Sequence, residues 1–494
     1  MKLFLNLYNS LEKNKERNAF LINEVFYKYA DLAGKVSAIR AAINKSVGKD
    51  DGRMGLVAND DIETYAAIIA LWFEGKAYVP LSPDVPKVRN ESVISQAGLK
   101  TIIDSSASPL FPDYHVIESK KVNSGGLDAA PKITEGEEPV YILFTSGTTG
   151  QPKGVPITRN NLSGFVDAFW KMGFEIDEHD RVLQMFELTF DLSVMSYLIP
   201  LLQGACVYTI PKDKIKYAYI NDLMEAHKLT VALMVPSILH YLRPYFAEID
   251  APHMRYSLFC GEALPLDILV EWGKCVPNAE IVNVYGPTED TIFCTHYWYS
   301  RQENNKSHNG ILSIGRAMEG TQIIIIDEDE KTLPFGNTGQ LCLGGVQLTP
   351  GYWKNEEKNK EVFFITDLEG TKKRFYKTGD LCIVDEQGDI LYLGRIDFQT
   401  KIQGFRVELS EIEFYAKSFI GKRNVVALGI TDAIGNTEIG LVIESAPFDT
   451  DSVMDGLKSK LPVYMIPKQI KFIDEFPLNS NGKTDRKKLG LLFN

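Results

Sequence analysis

The sequence predicts an α/β fold with a large first domain, residues 1–396, and a small α+β second domain, residues 397–494. Three observations support this prediction. The length of 494 residues allows two to four domains at roughly 100–200 residues each. Helical and strand periodicities alternate through the first three quarters of the chain, which is typical of α/β layers. The pattern then changes after Asp397, where a short strand, a helix, further strands and a charged tail follow.

Individual elements follow from local patterns along the chain. A helix is predicted over residues 212–227, and another begins at Ser410 in the second domain. Short apolar strands bounded by Gly, Pro, Asn or Asp turns are predicted at 231–235, 281–284, 323–327, 381–384 and 390–393. The last two are joined through Glu386-Gln387-Gly388-Asp389, which predicts a hairpin.

The composition excludes several classes of protein. Hydrophobic residues make up 45% of the chain and charged residues 24%, values typical of a folded globular protein. The formal net charge of −12 argues against a general nucleic-acid binder, because phosphate backbones require a basic surface. Six cysteines without a CxxC pair favour a reducing compartment. Because we find no signal peptide and no apolar run of membrane-spanning length, we expect a cytoplasmic protein without stable membrane insertion.

A loop rich in glycine and hydroxyl side chains follows the apolar segment 141–144. Glycines let backbone N–H groups approach an anion closely, hydroxyls donate hydrogen bonds and a lysine supplies charge. This loop therefore predicts binding of nucleotide phosphates, although its spacing differs from the GxxxxGK[ST] loop. Its candidate phosphate-binding residues are Thr145, Ser146, Gly147, Thr148, Thr149 and Lys153.

The loop belongs to an ordered series of motifs. The series runs through Ala77–Pro83, Thr145–Gly154, Phe190–Ser193, Gly261–Ala263, Asn283–Glu289, Tyr376–Asp380, Gly394–Asp397, Asn481–Lys483 and Asp485–Lys487. In this order the motifs resemble the adenylate-forming superfamily of acyl-CoA synthetases, luciferases and amino-acid adenylation domains. The resemblance covers nearly the whole chain and is strongest to amino-acid adenylating enzymes, especially D-alanine–D-alanyl carrier protein ligases. It implies an N-terminal adenylation domain and a mobile C-terminal lid domain hinged at Asp397.

The resemblance also implies ATP and Mg²⁺ as cofactors. Lys483 would be the catalytic lysine, and Glu289 would hold the metal. Tyr285 would pack on adenine, and Asp380 would accept both ribose hydroxyls. The nucleotide-binding residues implied in this way are Thr145, Ser146, Gly147, Thr148, Thr149, Lys153, Gly261, Glu262, Ala263, Asn283, Tyr285, Gly286, Thr288, Asp380, Arg395 and Lys483.

Asp191 distinguishes between substrate classes. In amino-acid adenylating enzymes, which this chain resembles, the matching aspartate pairs with the substrate α-ammonium group. A carboxylate buried without a cationic partner would be costly, and the alternative role for Asp191 is a helix N-cap. The remaining implied substrate positions are apolar or weakly polar, which favours a small apolar side chain and D-alanine first. They are Leu192, Met195, Leu233, Leu258, Cys260, Val284, Ile292 and Phe293.

The second half-reaction requires a thiol acceptor. No segment resembles a carrier domain, so we expect a separate phosphopantetheinylated carrier protein, or coenzyme A, as the acceptor. The resemblance places Gly404 in the loop that lines the pantetheine tunnel, where glycine permits close approach of a ligand to the backbone. Three alternatives remain open: an adenylation enzyme of nonribosomal peptide type for glycine, L-alanine or serine, an acyl-CoA ligase, and a non-catalytic adenylate-binding protein.

Overall fold

A computed structural model defines the fold of most of the chain. It describes residues 2–46, 52–123, 129–147, 150–302, 304–397, 399–421, 423–478 and 484–493. Three predicted site residues, Thr148, Thr149 and Lys483, lie outside the described residues. The alternation of helices with several sheets confirms the predicted α/β class.

The chain divides into two compact units. The first comprises Met1–Pro83, Ile94–Leu143 and Gly154–Ile396. The second comprises Asp84–Val93, Phe144–Lys153 and Asp397–Asn494. Two short segments that we assigned to the first domain thus belong to the second unit, and the division into domains 1–396 and 397–494 stays a prediction.

The largest sheet of the first unit combines parallel central strands with antiparallel edges. In spatial order its nine described strands are Arg316–Ala317, Thr295–Trp298, Glu280–Tyr285, Tyr256–Phe259, Val231–Met234, Arg181–Gln184, Cys206–Thr209, Asn18–Ile22 and Val25–Lys28. The central strands are buried along their length, as expected where helices cover both faces of a parallel sheet. The strands predicted at 231–235 and 281–284 are confirmed here.

Two further sheets have six described strands each. One contains, in spatial order, His115–Glu118, Thr101–Asp104, Arg53–Val57, Ala77–Leu81, Pro139–Thr145 and Lys153–Thr158. The other contains Thr332–Leu333, Thr321–Ile326, Thr338–Gly345, Thr371–Val384 and Phe363–Leu368, with Ile390–Arg395 paired to the long strand Thr371–Val384. The predicted hairpin is confirmed in the second of these sheets. A small pair of strands, Ser307–His308 and Ile311–Leu312, completes the described sheets of this unit.

Ten α-helices are described outside the C-terminal segment of the second unit. They are Lys2–Lys13, Tyr29–Ser46, Ile62–Phe73, Lys87–Ala97, Arg159–Lys171, Leu192–Gln203, Lys216–Ala226, Ser237–Leu242, Leu266–Cys275 and Glu356–Val362. Thr158 and Asn161 form a capping box at the start of Arg159–Lys171. The helix predicted over 212–227 begins only at Lys216, because the Lys214 N–H first closes a turn onto the Pro211 carbonyl.

The C-terminal part of the second unit is a small α+β structure. Its strands and helices are Gln399–Ile402, Phe405–Glu408, Leu409–Ile420, Val425–Thr431, Thr437–Glu444, Asp451–Lys458, Gln469–Ile473 and Arg486–Gly490. Helix Leu409–Ile420 confirms the helix predicted from Ser410. This unit has its own apolar core, in which Val407, Ile412 and Leu441 are fully buried.

Candidate active site

The candidate site lies at the carboxyl ends of parallel strands in the nine-stranded sheet. Strand Tyr256–Phe259 leads directly into Cys260, and strand Glu280–Tyr285 leads into a Gly-Pro turn. Helix Leu192–Gln203 begins immediately after Asp191. In open α/β sheets, ligands bind outside the carboxyl ends of the strands, so the fold brings these predicted residues to the expected edge.

Asp191 is a buried carboxylate with neutral hydrogen-bond donors. Its side chain is 5% exposed, and Oδ2 accepts the backbone N–H of Ile292 at 3.2 Å. Burial raises the pKa of Asp191 to about 7, whereas hydrogen bonds from the Ile292 N–H and the Thr288 side chain oppose that rise. Although Asp191 stands at the N-cap position, its side chain makes no capping hydrogen bond, so the alternative role is not realised.

The Ile292 amide points at Asp191 because its backbone has an uncommon conformation. Thr291 and Ile292 have φ values of 53° and 73°. Positive φ is a clear outlier for β-branched residues, whose Cβ substituents crowd the backbone in this region. Two such residues in succession persist only where surrounding contacts hold them, and such outliers cluster at ligand sites.

Glu289 is the candidate metal ligand. Its side chain is fully buried, and Oε1 accepts the hydroxyl of Tyr352 at 2.5 Å. Within the described part of the chain, no group of three or more Asp, Glu, His or Cys side chains could hold a metal ion. Mg²⁺ bound together with phosphates needs only one or two protein carboxylates, so the single carboxylate of Glu289 fits this ion.

A second carboxylate, Asp380, is held by two donors on neighbouring elements. Its Oδ2 accepts the hydroxyl of Tyr285 at 2.5 Å, and its Oδ1 accepts Nη1 of Arg395 at 2.8 Å. The backbone N–H of Asp380 also donates to the Thr378 hydroxyl at 3.0 Å. The structure therefore brings together three residues that the resemblance assigns to the nucleoside.

Gly286 lies where two segments of the site meet. A Cβ atom at Gly286 would lie 2.4 Å from Cα of Phe293 and 3.0 Å from the backbone nitrogen of Cys294. Such distances are not tolerated between a real Cβ and backbone atoms, so only glycine fits. The turn Tyr285-Gly286-Pro287 therefore needs glycine because two backbones approach closely there, and not because of an unusual φ angle.

The other predicted nucleotide residues in this unit lie beside the same edge. Nδ2 of Asn283 donates to the carbonyl of Ser313 at 2.9 Å, and Asn283 is buried. Glu262 accepts the backbone N–H of Ser237 at 2.8 Å, which closes the start of a short helix. Gly261 has a φ of 94°, which turns the chain after its strand, and Ala263 is exposed.

The predicted substrate-pocket residues belong to one apolar core. All eight are buried, with at most 3% exposure. They are Leu192, Met195, Leu233, Leu258, Cys260, Val284, Ile292 and Phe293. They come from five separate segments of the chain, and the Ile292 N–H among them contacts Asp191.

The predicted phosphate loop lies in the second unit, where two of its N–H donor groups contact glutamate carboxylates. Nζ of Lys153 lies 3.0 Å from Oε1 of Glu408, with both side chains buried. The backbone N–H of Gly147 donates to Oε2 of Glu411 at 3.3 Å. Groups that bind carboxylate oxygens in this way have the charge and geometry that phosphate oxygens require.

The rest of this loop packs against the same C-terminal segment. Oγ of Ser146 donates to the carbonyl of Arg406 at 2.7 Å. Thr145 ends its strand half-buried. Gly404 has a φ of 83°, as needed in the tight turn between two strands. The carboxylate of Asp397, the predicted hinge, accepts the N–H of Gln399 at 3.1 Å.

Three residues of this region were missed from sequence. They are Asp290, Gln347 and Tyr352, all buried. Burial raises the pKa of Asp290 to about 7. Asp290 could have been identified from the sequence, because it is a charged residue directly after the candidate metal ligand Glu289. The other two lie about 60 residues further along the chain, and only the tertiary fold brings Gln347 to the carbonyl of Phe293 and Tyr352 to Glu289.

Sequence comparisons agree with the motif series. The family described as AMP-binding enzyme matches residues 7–353. Tyrocidine synthase 1 of Brevibacillus parabrevis is 29% identical over 484 residues, covering 96% of this chain and 43% of that protein. Tyrocidine synthase 3 of the same organism is 29% identical over 487 residues, covering 97% of this chain and 7% of that protein. The chain thus spans less than half the length of these relatives.

Solved structures show the same architecture. The adenylation domain AlmE of Vibrio cholerae, in complex with glycyl-adenosine-5'-phosphate, matches with a TM-score of 0.86 and 25% identity, covering 99% of this chain and 96% of that one. AB3403, a four-domain nonribosomal peptide synthetase bound to AMP and glycine, matches with a TM-score of 0.70 and 26% identity, covering 98% of this chain and 36% of that one. None of the helices in the described ranges is long and apolar enough to cross a membrane.

Proposed function

The chain belongs to the AMP-binding enzyme family, in the amino-acid adenylation branch of the adenylate-forming superfamily, and on this premise we propose that it is an ATP-dependent ligase for a small amino acid. In the first half-reaction, a substrate carboxylate oxygen bonds to the α-phosphorus of ATP, and the bond to the β-phosphate oxygen breaks to release pyrophosphate. In the second, a carrier thiolate bonds to the acyl carbon, and AMP leaves.

The observation that carries this proposal is the buried carboxylate of Asp191 among apolar residues. Its hydrogen-bond donors, the Ile292 N–H and the Thr288 side chain, are neutral. An α-ammonium group entering the pocket would supply a positive charge and lower the pKa of Asp191, so that binding is coupled to ionisation. A fatty or aryl acid brings no such charge, which disfavours the acyl-CoA ligase alternative.

The apolar pocket supports a small side chain, and D-alanine stays our first proposal. Val284, Ile292 and Phe293 are bulky buried side chains at the positions that the resemblance assigns to the substrate pocket, and they would leave room only for a small group. Glycine is a second candidate, because two structural relatives were solved with glycyl-adenosine-5'-phosphate or with glycine. L-alanine and serine belong to the same class of small amino acids, and comparing both enantiomers in pyrophosphate exchange determines the preferred chirality.

The nucleotide is proposed to bind beside this pocket. Asp380 would accept the ribose hydroxyls with Arg395 beside it, and Tyr285 would pack on the adenine. Glu289 would hold Mg²⁺, which neutralises phosphate charge when bound. Thr288 would donate its hydroxyl proton to the α-phosphate once the substrate ammonium group replaces it as the partner of Asp191. Positioning and electrostatic stabilisation would therefore provide most of the rate enhancement.

The C-terminal segment is proposed to complete catalysis. Lys483 would contact the substrate carboxylate and the phosphate oxygens, and Asp397 would serve as the hinge of the lid. Gly404 would line the path of the phosphopantetheine arm. We propose a separate carrier protein as the acceptor, with coenzyme A as the alternative, and a cytoplasmic location where ATP is available.

Amino-acid-dependent pyrophosphate exchange with ATP and Mg²⁺ tests the proposal. The panel contains D-alanine, L-alanine, glycine, both serine enantiomers and larger residues. We expect exchange with one or two small amino acids and none with large ones. Absence of exchange with every amino acid, together with activity on organic acids and coenzyme A, would favour the acyl-CoA ligase. Nucleotide binding without any exchange would favour the non-catalytic alternative.

A further inference from the structure

The buried side-chain amide of Gln347 contacts residues 290–293, the segment that carries the Ile292 N–H bound to Asp191. The Gln347 side chain is fully buried. Nε2 lies 3.2 Å from the carbonyl oxygens of Asp290 and Thr291, and 2.9 Å from that of Phe293. These three carbonyls belong to residues that flank Ile292 on both sides.

The contact runs in both directions between the two segments. The carbonyl of Gln347 accepts the hydroxyl of Thr291 at 2.5 Å. Two residues on, the backbone N–H of Thr349 donates to the carbonyl of Glu289 at 2.8 Å. Segment 347–349 therefore forms hydrogen bonds to Glu289, Asp290, Thr291 and Phe293, on both sides of Ile292.

Segment 346–349 is itself anchored to a helix. Nδ2 of Asn161 donates to the carbonyl of Val346 at 2.8 Å and to that of Leu348 at 3.0 Å, on either side of Gln347. Asn161 also belongs to the capping box of helix Arg159–Lys171. The backbone on both sides of Gln347 is thus tied to a rigid helix, which is the condition for positioning another segment accurately.

These contacts account for the outlying backbone at the site. Positive φ at Thr291 and Ile292 is unfavourable by itself, and a compensating set of hydrogen bonds must hold it. We propose that Gln347 is a positioning residue that holds residues 290–293 so that the Ile292 N–H contacts Asp191 and orients its carboxylate toward the α-ammonium group of the substrate. This inference rests on the proposed function, because it assigns Asp191 to that ammonium group.

The role predicts a selective kinetic defect. Without the Gln347 amide, the segment relaxes toward negative φ, the Ile292 N–H turns away, and Asp191 loses its orientation. Binding of the amino group then suffers, whereas a ligand without an amino group loses nothing. If Gln347 served only in general packing, its loss would instead weaken binding of ligands with and without an amino group to the same extent.

The test compares Gln347→Met with wild-type enzyme in pyrophosphate exchange, using D-alanine and glycine as substrates. Propanoate and acetate, which lack only the amino group, serve as competitive inhibitors. We expect Gln347→Met to raise the amino-acid KM about tenfold, the size expected for a lost hydrogen bond to a charged group. The inhibition constants of propanoate and acetate and the KM for ATP should stay within about twofold.

Gln184→Met is the matched control. Gln184 is 2% exposed, and its Nε2 donates to the carbonyl of Phe186 at 2.8 Å and to the hydroxyl of Tyr65 at 3.4 Å, so the same substitution removes a buried amide whose partners lie outside residues 289–293. We expect this variant to keep the wild-type ratio of amino-acid KM to propanoate inhibition constant. An unchanged ratio in Gln347→Met would overturn the proposal.

A second variant covers the case in which Gln347→Met does not fold. Thr291→Val removes only the hydroxyl that donates to the Gln347 carbonyl and keeps the β-branched shape. It should change the same ratio in the same direction, by about threefold. A wild-type ratio in a folded Thr291→Val enzyme would overturn the proposal. Absence of amino-acid exchange in wild-type enzyme would instead show that the proposed function itself is wrong, and the role of Gln347 would fall with it.

Discussion

The hydroxyl of Tyr285 donates to Oδ2 of Asp380 at 2.5 Å, so two residues 95 positions apart share one short hydrogen bond. The ring of Tyr285 is buried in an apolar cluster, and the other oxygen of Asp380 contacts Arg395. One carboxylate is therefore oriented by two donors on different strands. The orientation of the Asp380 carboxylate depends on both donors.

Tyr285→Phe removes one of these donors and keeps the ring. Because the lost hydrogen bond involves a charged acceptor, we expect about 1.5–2 kcal/mol of weaker nucleotide binding, which is roughly a tenfold or greater rise in KM for ATP. The KM for the amino acid should stay near wild type. Steady-state exchange at varied ATP measures this effect. Tyr297→Phe, which removes a hydroxyl that accepts the Lys306 N–H, is the control, and an equal rise there would contradict the prediction.

Asp191→Asn keeps the shape of the side chain and removes its charge. We expect kcat/KM for the amino acid to fall at least about a hundredfold, because a neutral amide leaves the buried ammonium without its counter-charge. The free energy of unfolding should rise slightly, since the folded protein no longer buries an ionisable group. Exchange kinetics and a denaturant titration measure the two effects. Normal turnover would count against an amino-acid substrate.

The stability of the free protein should fall as the pH rises from about 4 to about 7. Burial raises the pKa of Asp60 from 3.8 to about 7, against the opposing hydrogen bond from Tyr65. In this range the folded protein keeps a proton that the unfolded chain has released, so the derivative of the unfolding free energy with pH is negative. Asp191 contributes in the same direction, although the Ile292 N–H and the Thr288 side chain limit its shift.

Asp60→Asn tests this pH dependence away from the site. Melting temperatures measured between about pH 4.5 and 7.5 should decline less steeply in this variant than in wild type, because one of the titrating groups is gone. The difference between the two proteins should shrink toward the acid end, because the unfolded chain takes up a proton on Asp60 as the pH approaches 3.8. Parallel curves would show that Asp60 does not titrate in this range.

Glu289→Gln should raise the Mg²⁺ concentration needed for half-maximal exchange. A glutamine oxygen can still accept the Tyr352 hydroxyl, so the local packing is kept while the charge that favours the metal is lost. We expect a shift of about tenfold or more in the Mg²⁺ dependence, measured at fixed free ATP. Tyr352→Phe serves as the comparison, because it disturbs the same oxygen without removing the charge. A similar shift in both variants would argue against direct metal binding by Glu289.

Lys483→Ala should abolish adenylate formation without unfolding the protein. Loss of a cation that contacts the developing phosphate charge is expected to lower kcat by at least about a hundredfold. The melting temperature should be unchanged. Lys487→Ala, at an exposed lysine four residues on, is the control and should retain activity. Wild-type turnover in Lys483→Ala would remove this lysine from the mechanism.

Local patterns predicted the elements that depend on local chemistry. The strand at 281–284 and the hairpin near 386–389 were found because apolar runs and turn residues determine them within a few positions. The pairing of Asp191 with Ile292 could not be predicted in this way. It requires a backbone conformation that isoleucine avoids, and the residue that compensates, Gln347, lies 55 positions away in the chain.

The close approach at Gly286 limits how substrate preference can change. The main chain at Gly286 lies directly against the main chain at Phe293, so neither backbone can move toward the other. A mutation that shortens Val284 or Phe293 can enlarge the pocket by the atoms it removes and by no more. A different spacing of these two backbones requires residues 284–294 to be exchanged together, so this stretch is the segment to transplant when the proposed amino-acid specificity is engineered.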